Sequence, residues 1–203
     1  VVHRAVQALS EGKIVAFPTE TVYGIGARAL DPDAVERLLK AKGRAHENPL
    51  ALAIRGAEEL LDYAPDASPL AERLARRCWP GPVTLVVDAS HQESVLGRLA
   101  DSVREVVSPE NTVGLRVPGH TAVLDVLRMI AGPIALTSAN RSGEPEAETA
   151  SEIKDVFGDE IDLILDDGPC RYGQPSSVVR VEGNDYKILR EGAVPEATLK
   201  RLA

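Results

Sequence analysis

Ile14-Val15-Ala16-Phe17-Pro18-Thr19-Glu20-Thr21-Val22-Tyr23-Gly24-Ile25-Gly26 (residues 14–26) is the stretch on which the fold turns. Four apolar residues halted by a proline read as a short buried strand, because proline cannot donate to a ladder. Two threonines, a glutamate and a tyrosine then crowd between that strand and a glycine turn at Gly24. Strand formers and a turn account for each residue singly, but not for hydroxyl, carboxylate and phenol together. In open α/β sheets, polar segments at strand ends stand at the rim where ligands bind.

Working outward, residues 2–11 carry Ala5, Val6 and Leu9 at helical spacing and stop at Gly12. Downstream, Asp31-Pro32-Asp33 marks a helix start, with carboxylates at the positive end of the dipole. Ala34, Val35, Leu38, Leu39 and Ala41 form its apolar stripe, and Lys40, Lys42 and Arg44 make its end basic. Strands are expected at 50–54, 83–87, 113–117, 134–137, 163–165, 177–181 and 187–189. Helices are expected at 57–63, 70–78, 122–130, 151–157 and 196–202. Residues 90–111 are the least regular and are expected to form a loop or flap. Strands and helices mixed without strict alternation indicate an α/β, α+β-like sheet with helices on its faces. A chain of 203 residues is expected to be one domain, 1–203.

Aromatic residues make up only 3% of the chain, so the core must be built from Val, Leu, Ile and Ala. The net charge of −8 opposes a general nucleic-acid binder, whose affinity comes from phosphate neutralisation, while leaving room for a local basic cleft. Cys78 and Cys170 stand alone without metal-ligand spacing, which suits a reducing cytoplasm. No apolar run approaches the ~20 residues of a membrane span, and no signal peptide opens the chain. Met129 is the only methionine, so the expectation is a chain trimmed of its initiator.

The common nucleotide and metal signatures are missing: there is no G-x-x-x-x-G-K-[ST], no third glycine after Gly24-Ile25-Gly26, and no H-E-x-x-H. His3, His46, His91 and His120 are scattered, so no histidine metal site is expected. The chemistry must lie in the polar segments. Lys42-Gly43-Arg44, followed by Asn48-Pro49-Leu50, is the densest cationic group in an acidic chain. Helix capping explains Lys40 better than Lys42 and Arg44. Arg116, inside the strand-like Thr112–Pro118 run, needs an anion or access to water. An exposed edge strand serves it equally well. Thr137-Ser138-Ala139-Asn140-Arg141-Ser142-Gly143 offers small donors after a strand, although such residues also favour turns. Ser176 and Arg190 each end a strand-like run. Trp79-Pro80-Gly81-Pro82 and Asp166-Asp167-Gly168-Pro169 read as structural turns.

Taken in order, these segments resemble the YrdC-type threonylcarbamoyl-adenylate synthases. The resemblance is carried by PTETVYGIGA (18–27), KGR with NPL (42–44, 48–50), WPGPVTLV (79–86), VGLRVPGH (113–120), TSANRSGEP (137–145), PSSVV (175–179) and LREGAV (189–194). It implies an open twisted mixed sheet around a deep, positively lined cavity. It also implies a nucleotidyltransferase that condenses L-threonine, bicarbonate and ATP to threonylcarbamoyl-AMP and pyrophosphate for tRNA threonylcarbamoyladenosine formation. Thr21, Arg116 and Ser176 match positions that hold threonine, with the backbone near Leu136 assisting. Arg44, Asn48, Thr112, Ser138 and Arg190 match positions that contact ATP, and Lys42 and Asn140 line the same cleft. Mg2+ is expected with ATP, and a separate tRNA threonylcarbamoyl-transferase complex is expected downstream. Ala53 stands where many longer relatives have histidine, and the resemblance implies the short form without an additional C-terminal domain. Two other readings are an RNA-binding module of the same fold and a relative that forms carbamoyl-adenylate.

Overall fold

The computed structural model describes residues 1–43 and 48–203. Helix α1 (Val2–Ser10) leads into β1 (Val15–Phe17), which turns through the polar motif into β2 (Gly24–Arg28). Helix α2 (Pro32–Lys42) starts as its sequence dictates, with Asp31 accepting from the backbone of Asp33 and Ala34. Then follow β3 (Ala51–Ala53), α3 (Leu60–Tyr63), α4 (Pro69–Cys78), β4 (Val83–Asp88) and α5 (Asp101–Val107). The chain continues through β5 (Thr112–Arg116), α6 (Thr121–Met129), β6 (Ile134–Ser138), α7 (Ala150–Phe157) and β7 (Leu163–Ile164). It closes with β8 (Ser177–Glu182), β9 (Asp185–Arg190) and α8 (Glu196–Leu202).

The nine strands make one mixed sheet in the order β7-β1-β2-β6-β3-β5-β4-β8-β9. The pairs β1–β7, β3–β5 and β4–β8 are parallel, and the other neighbours are antiparallel. Period-two alternation assigns the two faces. On one face Leu52, Leu85, Val113, Leu115, Ala135 and Val179 are buried in the larger core, against α2 and α4. On the other face Val15, Phe17, Ile134 and Leu136 pack against α1 and α6. That second cluster extends across the face from β1 as far as Ala53 of β3. Among the described residues no helix is long and apolar enough to cross a membrane.

Two expectations need correction. Gly24 is not a turn but the first residue of β2, a central strand that the sequence reading lacked. Its Gly-Ile-Gly-Ala composition hides a strand because the glycines serve close approach. A Cβ on Gly26 would stand 2.6 Å from Ile134 Cγ2, so β2 and β6 meet there with no room for a side chain. The 90–111 segment is not a loop either. It contains a 3-10 turn at Val95–Arg98 and helix α5, with Leu96, Leu99, Val103 and Val107 buried in the larger core. The Trp79 turn is as expected: the indole N–H donates to Val83 O at 2.8 Å and the ring is buried.

Candidate ligand-binding site

The part of the sheet left uncovered by α1 and α6 is the floor of a cavity of about 1060 Å³. Alternation again selects what faces it. Thr112, Gly114 and Arg116 of β5, Thr84 and Val86 of β4, Val178 and Arg180 of β8, and Leu136 and Ser138 of β6 all line it. Gly24, Ala51, Ala53 and Gly114 keep the floor low. Every expected site residue that the structure describes reaches this cavity: Thr21, Lys42, Asn48, Thr112, Arg116, Leu136, Ser138, Asn140, Ser176 and Arg190. Arg44 lies outside the described residues.

Arg116 is not on an edge. Strand β5 runs between β3 and β4, and the guanidinium is buried. Its Nη2 donates to Glu20 Oε1 and, at 3.2 Å, to Thr21 Oγ1, while Nε donates to Gly81 O at 3.3 Å. Burial lowers its pKa, and the Glu20 carboxylate opposes that shift by holding the charge. Thr21 Oγ1 also shares a 2.9 Å hydrogen bond with Thr19 Oγ1, whose own hydroxyl donates to Val22 O at 2.5 Å. The polar motif after β1 is thus a hydroxyl-lined bend braced on a buried ion pair.

A second group forms where β8 begins. Arg190 donates through Nε and Nη2 to Ser176 O, at 3.0 and 2.7 Å, and through Nη2 to Ser176 Oγ at 3.2 Å. Ser176 Oγ shares a 3.0 Å bond with Thr84 Oγ1. Both Ser176 and Arg190 therefore hold their place before any ligand arrives.

The third group carries a lysine with an unusual environment. Lys42 is buried rather than capping its helix into solvent, and Nζ donates to Ser138 O at 3.0 Å and Asn140 Oδ1 at 2.9 Å. Burial pulls its pKa down to about 8, with the Glu146 carboxylate pulling the other way. Asn140 is fixed by Nδ2 donating to Arg141 O and Glu144 O at 2.9 and 2.8 Å. Ser138 Oγ donates to Asn140 Oδ1 at 2.5 Å. The segment after β6 is a turn, and it is also the cradle of a cation.

Thr84, Arg180, Glu110 and Glu146 also line the cavity but escaped the sequence reading. Arg180 had a legible signal: it alternates with Val179 and Val181, as Arg116 does with Leu115 and Val117, and it pairs with Glu182 at 2.7 Å. Thr84 sat within the quoted WPGPVTLV motif, where alternation from Val83 would have turned it to the cavity face. The two glutamates had no such pattern, because they sit in loops.

A mixed sheet whose floor presents cations, hydroxyls and amides to a cavity of this size defines an α/β domain with one polar, cation-bearing pocket. The chain belongs to the Sua5/YciO/YrdC family, whose model, described as Telomere recombination, matches residues 7–192. It is 39% identical over 194 residues to a threonylcarbamoyl-AMP synthase of Pyrococcus abyssi, covering 96% of this chain and 54% of that protein. It is 36% identical to the threonylcarbamoyl-AMP synthase of Bacillus subtilis, covering 97% of this chain and 55% of that one. The chain thus spans about half the length of these two relatives. The crystal structure of P. abyssi Sua5 complexed with L-threonine superposes with a TM-score of 0.88 at 38% identity, over 99% of this chain and 56% of that one.

Proposed function

We propose that this chain makes threonylcarbamoyl-AMP from L-threonine, bicarbonate and ATP, releasing pyrophosphate. The observation that carries the reading is the convergence of three separately anchored groups on one cavity: Arg116 with Thr21, Arg190 with Ser176, and Lys42 with Ser138 and Asn140. One amino-acid carboxylate and a chain of phosphates are the anions such a set matches in kind.

In this reading Thr21, Arg116, Ser176 and the backbone near Leu136 hold threonine. Lys42, Asn48, Thr112, Ser138, Asn140 and Arg190 hold ATP, as does Arg44. The amine attacks bicarbonate carbon and water leaves, giving a carbamate. A carbamate oxygen then attacks the α-phosphorus, and the bond to pyrophosphate breaks. No side chain need form a covalent bond, so catalysis consists of alignment and charge stabilisation by preorganised donors. A deep cavity also protects the carbamate from water. Magnesium would supply charge neutralisation on the phosphates. Among the described residues no group of three or more His, Cys, Asp or Glu could hold a metal ion. A hydrated ion that the nucleotide brings with it needs few protein ligands.

Such a reaction belongs in the cytoplasm, upstream of a transferase complex that moves the threonylcarbamoyl group to tRNA. Incubation with ATP, bicarbonate, magnesium and threonine, followed by mass analysis, should reveal threonylcarbamoyl-AMP. Its absence under conditions where the protein binds ATP would refute the assignment.

A further inference from the structure

Glu20 belongs to the opening motif but does not line the cavity, and the substrate assignments give it no role. Its side chain is only 9% exposed. A buried carboxylate is unfavourable unless it is paired and both oxygens are bonded. Oε1 accepts from Arg116 Nη2 and Oε2 accepts from the Gly119 backbone N–H. A Cβ on Gly119 would run into Oε2, so the backbone approaches this carboxylate as closely as glycine allows. The motif's own main chain is clamped from the far side, where Tyr172 N–H donates to Glu20 O and Gly173 N–H to Thr21 O, each at 2.9 Å. With Nη2 and Nε of Arg116 engaged, Nη1 is the guanidinium nitrogen without a bonded partner among the described residues, on a side chain that lines the cavity.

We propose that Glu20 is a positioning residue that fixes the Arg116 guanidinium so that Nη1 is presented to the substrate's carboxylate. This rests on the amino-acid reading of the cavity given above. The charges agree with it. Glu20 and Arg116 cancel in charge, so the brace supplies an incoming carboxylate with an aimed donor rather than with net charge.

The test measures threonine and ATP affinity separately, by calorimetry on the whole chain, for Glu20→Gln and Glu20→Ala. A glutamine can serve Arg116 or Gly119 but not both, because its amide nitrogen does not accept. On charge alone, removing an anion beside a carboxylate site would tighten binding. Positioning predicts the opposite: Glu20→Gln weakens threonine binding about five- to tenfold and Glu20→Ala weakens it further, with ATP affinity changed less than about twofold. In an Arg116→Lys background the same changes should add little, because the brace then has nothing to hold. Unchanged or tighter threonine binding by a folded Glu20→Gln protein would overturn the proposal. If Glu20→Ala does not fold, the glutamine variant decides alone. A wild-type chain that binds ATP but no amino acid would overturn the functional reading and this role with it. Normal wild-type binding with an indifferent glutamine variant would overturn only the positioning role.

Discussion

Arg116 and Lys42 are the residues in which burial and function conflict most directly. A buried guanidinium persists because Glu20 offsets its charge, and removing it strands that carboxylate. Arg116→Ala should therefore act twice. It should raise the threonine requirement at least about tenfold, as the loss of a charge-assisted contact implies. It should also lower the melting temperature by several degrees, with stability partly restored in the Arg116→Ala, Glu20→Gln double variant. Steady-state kinetics and a thermal scan check both. Lys42 makes a prediction in pH. With its pKa drawn down to about 8, it is a cation below that value and neutral above it. Bound phosphate favours the cation, so ATP affinity should fall by up to about tenfold per unit as pH rises through 8, until the pKa of the complex is reached. ATP titrations from pH 7 to 9 should show this slope in the wild type and a flatter one in Lys42→Met. The sequence disclosed both residues as cations out of place. It did not disclose that Arg116 sits on a central strand, because strand order depends on which distant segments pair.

At the scale of elements, one face of the sheet does two jobs, packing against α1 and α6 at one end and flooring the cavity at the other. Gly26 and Gly114, both on that face, differ in purpose, and their alanine variants should differ in outcome. Gly26→Ala forces a methyl to within 2.6 Å of Ile134 Cγ2, so it should destabilise by about 1–3 kcal/mol, or several degrees in melting temperature. Gly114→Ala meets Thr84 Cγ2 at 3.4 Å and Ala51 Cβ at 3.8 Å, ordinary contacts, and should leave the melting temperature nearly unchanged. A bulkier Gly114→Leu would instead fill the cavity floor and weaken ligand binding with the fold intact. Equal melting losses for the two alanine variants would contradict this division. Most helices and strands were legible from periodicity and caps, as with Asp31 at α2. Strand β2 was not, because glycine carries no hydrophobic signal. Helix α5 was not, because three of its seven residues are β-branched valines, which favour strands.

For the whole molecule, the cavity draws on segments from residue 19 to residue 190, so no local stretch contains it. The ordered set of motifs identified the family, and the geometry adds Thr84, Arg180, Glu110 and Glu146 to the lining. Those side chains meet at the cavity only once β4 and β8 have paired in parallel and folding has brought Glu110 and Glu146 to its wall. On the proposed function, this one cavity joins an amino acid to a nucleotide. The most direct test is pyrophosphate release from ATP, bicarbonate and magnesium, with and without threonine. Release that depends on threonine is expected. Release independent of any amino acid, or none except with carbamoyl phosphate, would contradict it.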